Sequence, residues 1–287
     1  MTLNQKEEKS VYIYSGGRME QYGQSIDCWF YDKKIINSNI RRHKVKREKK
    51  PSDPMVSFRR SKSKARKIIN CNAWKWFDDS RKPFLPVFVT LTFAENIQNL
   101  TQANRMFSKF IQRLNYEVFH KKGARLVYLG VVEFQKRGAV HYHIIFFNLP
   151  FIQNIREIWD EGRVDVKAVW TLREVINYVS KYMVKEASDG RLRGKKRFFT
   201  SRKILRPVNI RSYSVARNVK DKLKSRLKYY KEFYVEFVGK IELYHHELNS
   251  NETLFDFYIP DFKVNLDRYV KLRIESEINK EQEKTKL

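Results

Sequence analysis

The chain has 287 residues, 42% of them hydrophobic with 20 Phe and 16 Tyr, which is enough for a substantial core and excludes a disordered polymer. Its 59 Lys and Arg against 32 acids leave a net charge of +27, so the expected partner is polyanionic: nucleic acid first, an anionic membrane surface second. There is no run of about 18 apolar residues, no signal-peptide core in MTLNQKEEKS, and only Cys28 and Cys71, so the expectation is a cytoplasmic chain with no membrane span, disulfide framework or four-cysteine zinc site.

Residues 1–80 read as a basic, loosely organised N-terminal arm. Between Arg41 and Lys67 stand 13 Lys or Arg and two acids, Glu48 and Asp53. FRRSKSKARKII has the makings of a helix with a basic face toward phosphates, while residues 1–55 read equally well as a solvated tail. From Pro83 the pattern changes. PVFVTLTF (86–93) alternates as a strand, with Thr90 and Thr92 on one face and Val89, Leu91 and Phe93 on the other. Residues 99–119 carry Met106, Phe107, Phe110, Ile111 and Leu114 at helical spacing. ARLVYLGVVEFQ (124–135) and AVHYHIIFF (139–147) are two strands of a hairpin turned at KRGA. IQNIREIWD is a short helix and RVDVKAVW (163–170) another strand. TLREVINYVSKYMVKE (171–186) is a helix opened by a capping box of Thr171 and Glu174. This order predicts an α+β fold, a mainly antiparallel sheet covered by helices on one face in a ferredoxin-like or RNA-recognition-motif-like layout, with the other face left for a ligand. Residues 81–187 form that domain. Residues 188–287, with a basic helix (VARNVKDKLKSRLKYYKEF) and a strand-like YVEFVGKIELYHHE, form a basic C-terminal extension.

In a strand, His141 and His143 share one face. Folding the hairpin about Arg137 sets Glu133 across from His141, so a carboxylate and two imidazoles meet on one patch. Three ligands leave coordination positions open, as a catalytic metal requires. The mixed oxygen and nitrogen set suits Mg2+ or Mn2+ and leaves Zn2+, Co2+ and Ni2+ possible; a structural Glu–His hydrogen bond is the alternative. On the helix, Tyr178, Lys181, Tyr182 and Lys185 share a face, with Leu172, Val175, Ile176, Val179 and Met183 as the opposite, core-packing stripe. The lysines would favour a phenolate and neutralise a phosphate; a solvated amphipathic face is the alternative. His245 and His246 are adjacent, face opposite ways in a strand, and make a poor metal pair.

FVTLTF, HYH and YVSKYMVK, in this order, resemble motifs 1, 2 and 3 of the HUH endonucleases, the rolling-circle replication initiators, most closely those of small single-stranded DNA phages and of plasmids from Gram-positive bacteria. The resemblance covers about residues 86–186. It implies that a divalent metal held by His141, His143 and Glu133 polarises a scissile phosphate of single-stranded origin DNA. A tyrosine then attacks, giving a 5′-phosphotyrosyl enzyme and a free 3′-OH. Tyr178 matches the nucleophile of one-tyrosine members and Tyr182 the second nucleophile of two-tyrosine members, with Lys181 between them. Position 142 departs from the pattern, being Tyr where the family has a bulky hydrophobic residue; its ring should point toward the helix layer. No Walker A loop is present, since GRLRGKKRF has the wrong glycine spacing, so a host helicase and polymerase are expected partners. A conjugative relaxase with the same chemistry and a non-catalytic nucleic-acid-binding module are the competing readings.

Overall fold

The computed structural model describes residues 11–14, 16–32, 35–38, 54–121, 123–187, 191, 196–236 and 238–257. In chain order the elements are β1 (Val11–Tyr14), β2 (Gly17–Tyr22), β3 (Ser25–Tyr31), β4 (Ile35–Ser38), α1 (Pro54–Asn72), β5 (Val87–Phe93), α2 (Leu100–Phe119), β6 (Tyr128–Phe134), β7 (Val140–Phe146), α3 (Ile155–Trp159), β8 (Gly162–Ala168), α4 (Leu172–Ala187), β9 (Phe199–Thr200), β10 (Val208–Ile210), α5 (Tyr213–Lys222), β11 (Leu227–Val235) and β12 (Gly239–Glu247). They fall into two compact units, one of residues 49–206 and one of residues 1–48 with 207–287. Among the described residues no helix is long and apolar enough to cross a membrane.

The 49–206 unit is built on the sheet β8-β5-β7-β6-β9, antiparallel throughout. With α2 after β5 and α3 before β8, this is the expected α+β, ferredoxin-like arrangement. Its central hairpin is closed by Lys136, Arg137 and Gly138. The Gly138 N–H donates to Gln135 O and the Gln135 N–H to Ala139 O, both at 2.8 Å. Gly138 has φ 91, the left-handed position that such a three-residue turn needs. That turn fixes the register, and the register decides which β7 side chains face which way. Val140, Tyr142, Ile144 and Phe146 join Val89, Leu91 and Phe93 under Phe107, Phe110 and Leu114 of α2 and Ile158 and Trp159 of α3. Tyr142 points into this helix layer, as expected, and its hydroxyl donates to Asn104 Oδ1 at 2.7 Å.

The second face is only partly left for a ligand. Phe88, Leu129, Val131 and Ile145 are covered there by Phe58, Ala65, Ile68 and Ile69 of α1 and by Val175, Val179 and Met183 of α4. The basic stretch FRRSKSKARKII is helical, as expected, but it is also an apolar clamp: Arg59, Arg60, Lys62, Lys64 and Arg66 point outward while its Ile and Ala residues are buried. One position in this unit tolerates no side chain. Gly162, at φ +147, opens β8, and a Cβ there would come within 2.4 Å of Thr92 O and 2.5 Å of Ala94 N. Gly162→Ala is expected to cost roughly 1–3 kcal/mol of stability, read as a lower urea midpoint.

In the other unit, β10-β2-β3-β12-β11 form a second antiparallel five-stranded sheet, and β1 pairs with β4. One face packs Met19, Ile26, Cys28 and Phe30 against Val215, Ala216 and Val219 of α5. This division differs from three consecutive segments. Residues 1–80 supply β1–β4 to one unit and α1 to the other, and residues 188–287 supply β9 to one and β10–β12 to the other. The strands of the second sheet come from both ends of the chain, a pairing that local patterns do not encode.

Candidate active site

The hairpin register sets Glu133 opposite His141 and Val131 opposite His143, as the alternation predicts. Glu133, His141 and His143 line one cleft with Tyr182, and Lys136, Arg137 and Arg191 give the cleft a basic rim. His143 is the most constrained of the set. Its Nε2–H donates to Glu133 Oε2 at 2.7 Å, leaving Nδ1 to accept from the Thr90 hydroxyl at 3.2 Å. Thr90 reaches it because β5 pairs Thr90 directly with His143. Sequence reasoning placed Thr90 on a strand face without giving it a role; its pairing with a histidine is visible only once β5 and β7 are neighbours.

His141 differs. Its ring lies 6.2 Å from that of His143, and its Nε2 is buried with no hydrogen-bond partner. Burial first, then the neighbouring His143, lowers its pKa to about 4, so the ring is neutral near pH 7. An unpaired buried nitrogen costs on the order of 1–3 kcal/mol, and coordination of a cation would remove that cost. The donor set therefore suits a divalent metal in its chemistry. The arrangement is not yet a cage: Glu133 and His143 bond each other, and among the described residues no three His, Cys, Asp or Glu are grouped to hold a metal ion.

The α4 helix brings both tyrosines onto the same patch. Tyr182 stacks on His143 with ring centroids 3.5 Å apart and planes 19° apart. Tyr178 packs on Phe88 at 3.5 Å, and the two tyrosine rings are 5.1 Å apart. The tyrosines flank the apolar stripe instead of opposing it. At 3.6 residues per turn, Tyr182 sits only about 20° around the axis from Val175, so both rings pack against the covered sheet face. Lys181 Nζ lies 5.8 Å over the Tyr182 ring, and the Lys185 side chain is outside the described residues. The expectation that lysine favours the phenolate does not hold for this arrangement. Burial, a hydrogen bond with Tyr178 and the Glu133 charge push the Tyr182 pKa well above that of an ordinary tyrosine. Arg191, unremarked in the sequence, lies 4.0 Å over the Phe134 ring at the mouth of the cleft. His245 and His246 contribute nothing to this cleft: His245 Nδ1 bonds Asp27 Oδ1 at 2.7 Å within the other unit.

No curated protein and no solved structure matches the chain. Residues 86–187, the stretch that holds Thr90, the hairpin and both tyrosines, match the family model of the replication-associated protein ORF2, and that match supports a replication-initiator family.

Proposed function

We propose that this chain initiates rolling-circle replication by nicking and rejoining single-stranded origin DNA through a tyrosine nucleophile. The observation that carries the proposal is the juxtaposition of Tyr182, His143, Glu133 and the unpaired His141 nitrogen in one basic-rimmed cleft. In the first step a tyrosine oxygen bonds to the scissile phosphorus and the P–O3′ bond breaks. The tyrosine proton is lost to the surroundings, the leaving oxygen gains one, and the products are a 5′-phosphotyrosine and a free 3′-OH. Attack of a 3′-OH on the phosphotyrosine reverses the step and joins the ends.

Mg2+ or Mn2+, held by Glu133, His141 and His143, would supply the charge that polarises the phosphate. The chain's own residues do the rest. Thr90 orients His143. Lys136, Arg137 and Arg191 attract the DNA backbone to the cleft. Tyr182 rests on His143, and the Tyr178 hydroxyl accepts its proton's hydrogen bond until attack. Lys181 offsets phosphate charge near the ring. Neutralising Glu133 would also remove one of the influences holding Tyr182 as a phenol. A host helicase and polymerase would extend the nick.

The test is incubation with single-stranded DNA from the parent replicon and Mn2+. Nicking with a denaturant-resistant protein–DNA adduct is expected; cleavage without an adduct overturns the mechanism. Binding should also be steeply salt-dependent. A chain of charge +27 that covers about six or more phosphates should lose on the order of 1,000-fold in affinity between about 50 and 200 mM salt. A flat response in fluorescence anisotropy would show that its charge does not meet the backbone.

A further inference from the structure

The second sheet carries a surface that the cleft chemistry does not use. One face packs on α5; the other presents aromatic rings and cations in register. Pairing across β11, β12 and β3 aligns Tyr229 with His245 and Asp27, Lys231 with Leu243 and Trp29, and Phe233 with Ile241 and Tyr31. Arg18 on β2 pairs with Trp29 and lies 5.0 Å over its ring. Tyr229 and Phe233 are 45% and 37% exposed, and Phe233 meets Trp29 edge-on at 6.2 Å.

These rings are held in place from below. Tyr229 stacks on His245 at 4.6 Å, and His245 is fixed by Asp27, which also accepts from the Tyr22 hydroxyl at 3.1 Å. The Asp27 charge is thus buried and engaged, away from any ligand. The opposite face of β11 is unlike this one. There Tyr230 donates to Glu232 and Glu242, and Lys240 pairs with both acids, so its polar groups already serve one another and its carboxylates repel phosphate.

We propose that the face bearing Trp29, Tyr229, Lys231 and Phe233 is a stacking platform for single-stranded DNA, a second binding site separate from the cleft. Planar rings accept bases of any sequence, and the flanking Arg18 and Lys231 meet phosphates. Duplex DNA, whose bases are already stacked, gains nothing from the rings. The inference rests on single-stranded DNA being the substrate of the proposed reaction, and it assigns the unit built from the chain's two ends a role in holding that strand.

The test uses the full chain and an oligo(dT) of about 20 nucleotides, with binding read by anisotropy. Tyr229→Ala/Phe233→Ala should bind at least tenfold more weakly, with duplex binding unchanged. Tyr234→Ala, 74% exposed on the other face of the same strand, should bind like the parent. Unaltered oligo(dT) affinity in the double variant, with its thermal midpoint retained, overturns the platform. So does an equal loss in Tyr234→Ala, or an equal loss toward duplex. If the double variant unfolds, Lys231→Gln at low salt replaces it, with the same outcomes deciding. Nicking is read separately: a parent chain that binds oligo(dT) through these rings but never nicks would sink the cleavage mechanism and leave the platform standing.

Discussion

Tyr178→Phe/Tyr182→Phe should form no covalent adduct with an oligonucleotide that the parent chain cleaves. The nucleophile is the atom that ends in the phosphodiester bond, so removing both hydroxyls removes the product outright. The single variants should differ. Resemblance alone puts Tyr178 first, but Tyr182 is the tyrosine that lines the cleft and stacks on His143, while Tyr178 leans on Phe88. Tyr182→Phe is therefore expected to lose most of the first-cleavage adduct. Tyr178→Phe should still nick but fail in coupled cleavage and joining. Peptide mapping decides the order: an adduct on Tyr178 alone reverses it, and an adduct on neither ends the phosphotyrosine mechanism.

His141→Ala and His143→Ala should each lower Mn2+-dependent cleavage by at least about a hundredfold, roughly 2.7 kcal/mol of barrier. Circular dichroism should show that the fold persists. The two variants probe different things. His141 makes no hydrogen bond at Nε2, so its removal should leave the remaining site undisturbed. Loss of His143 strands the Glu133 carboxylate and removes the ring beneath Tyr182. Glu133→Gln isolates charge from geometry, since an amide oxygen can still accept from His143 Nε2–H. Its cleavage should fall and its stability hold. Parent-like cleavage in both histidine variants would remove the metal site from the mechanism.

The hairpin and its Glu133–His141 register were legible because a short turn ties two alternating strands together, leaving few alternatives. The helix 172–187 was equally plain from its periodicity, but the side on which its tyrosines lie was not. Tyr is apolar enough to extend a core stripe and polar enough to read as surface, and only the packing against Phe88 and His143 separates the two. The covering of the histidine face by α1 was hidden because a helix so rich in Arg and Lys shows its few buried Ile and Ala weakly. Least legible was the second sheet. GRMEQY and SIDCWFY sit in a segment read as a basic arm, and their partners β10 and β12 lie near the other end of the chain.

That same wiring has a consequence for how the protein is made. Asp27 meets His245 across 218 positions of sequence. At synthesis rates of about 5–20 residues per second, β3 emerges from the ribosome roughly 10–45 s before its neighbour β12 exists. Residues 49–206 form an uninterrupted block, so the cleft-bearing unit can collapse while the first strands still lack partners. During that interval the apolar Met19, Ile26 and Phe30 have no sheet to enter, and a holding chaperone has its clearest opportunity there. A stop codon shortly after Arg206 would make the interval permanent, leaving one unit whole and the other without β10, β11 and β12.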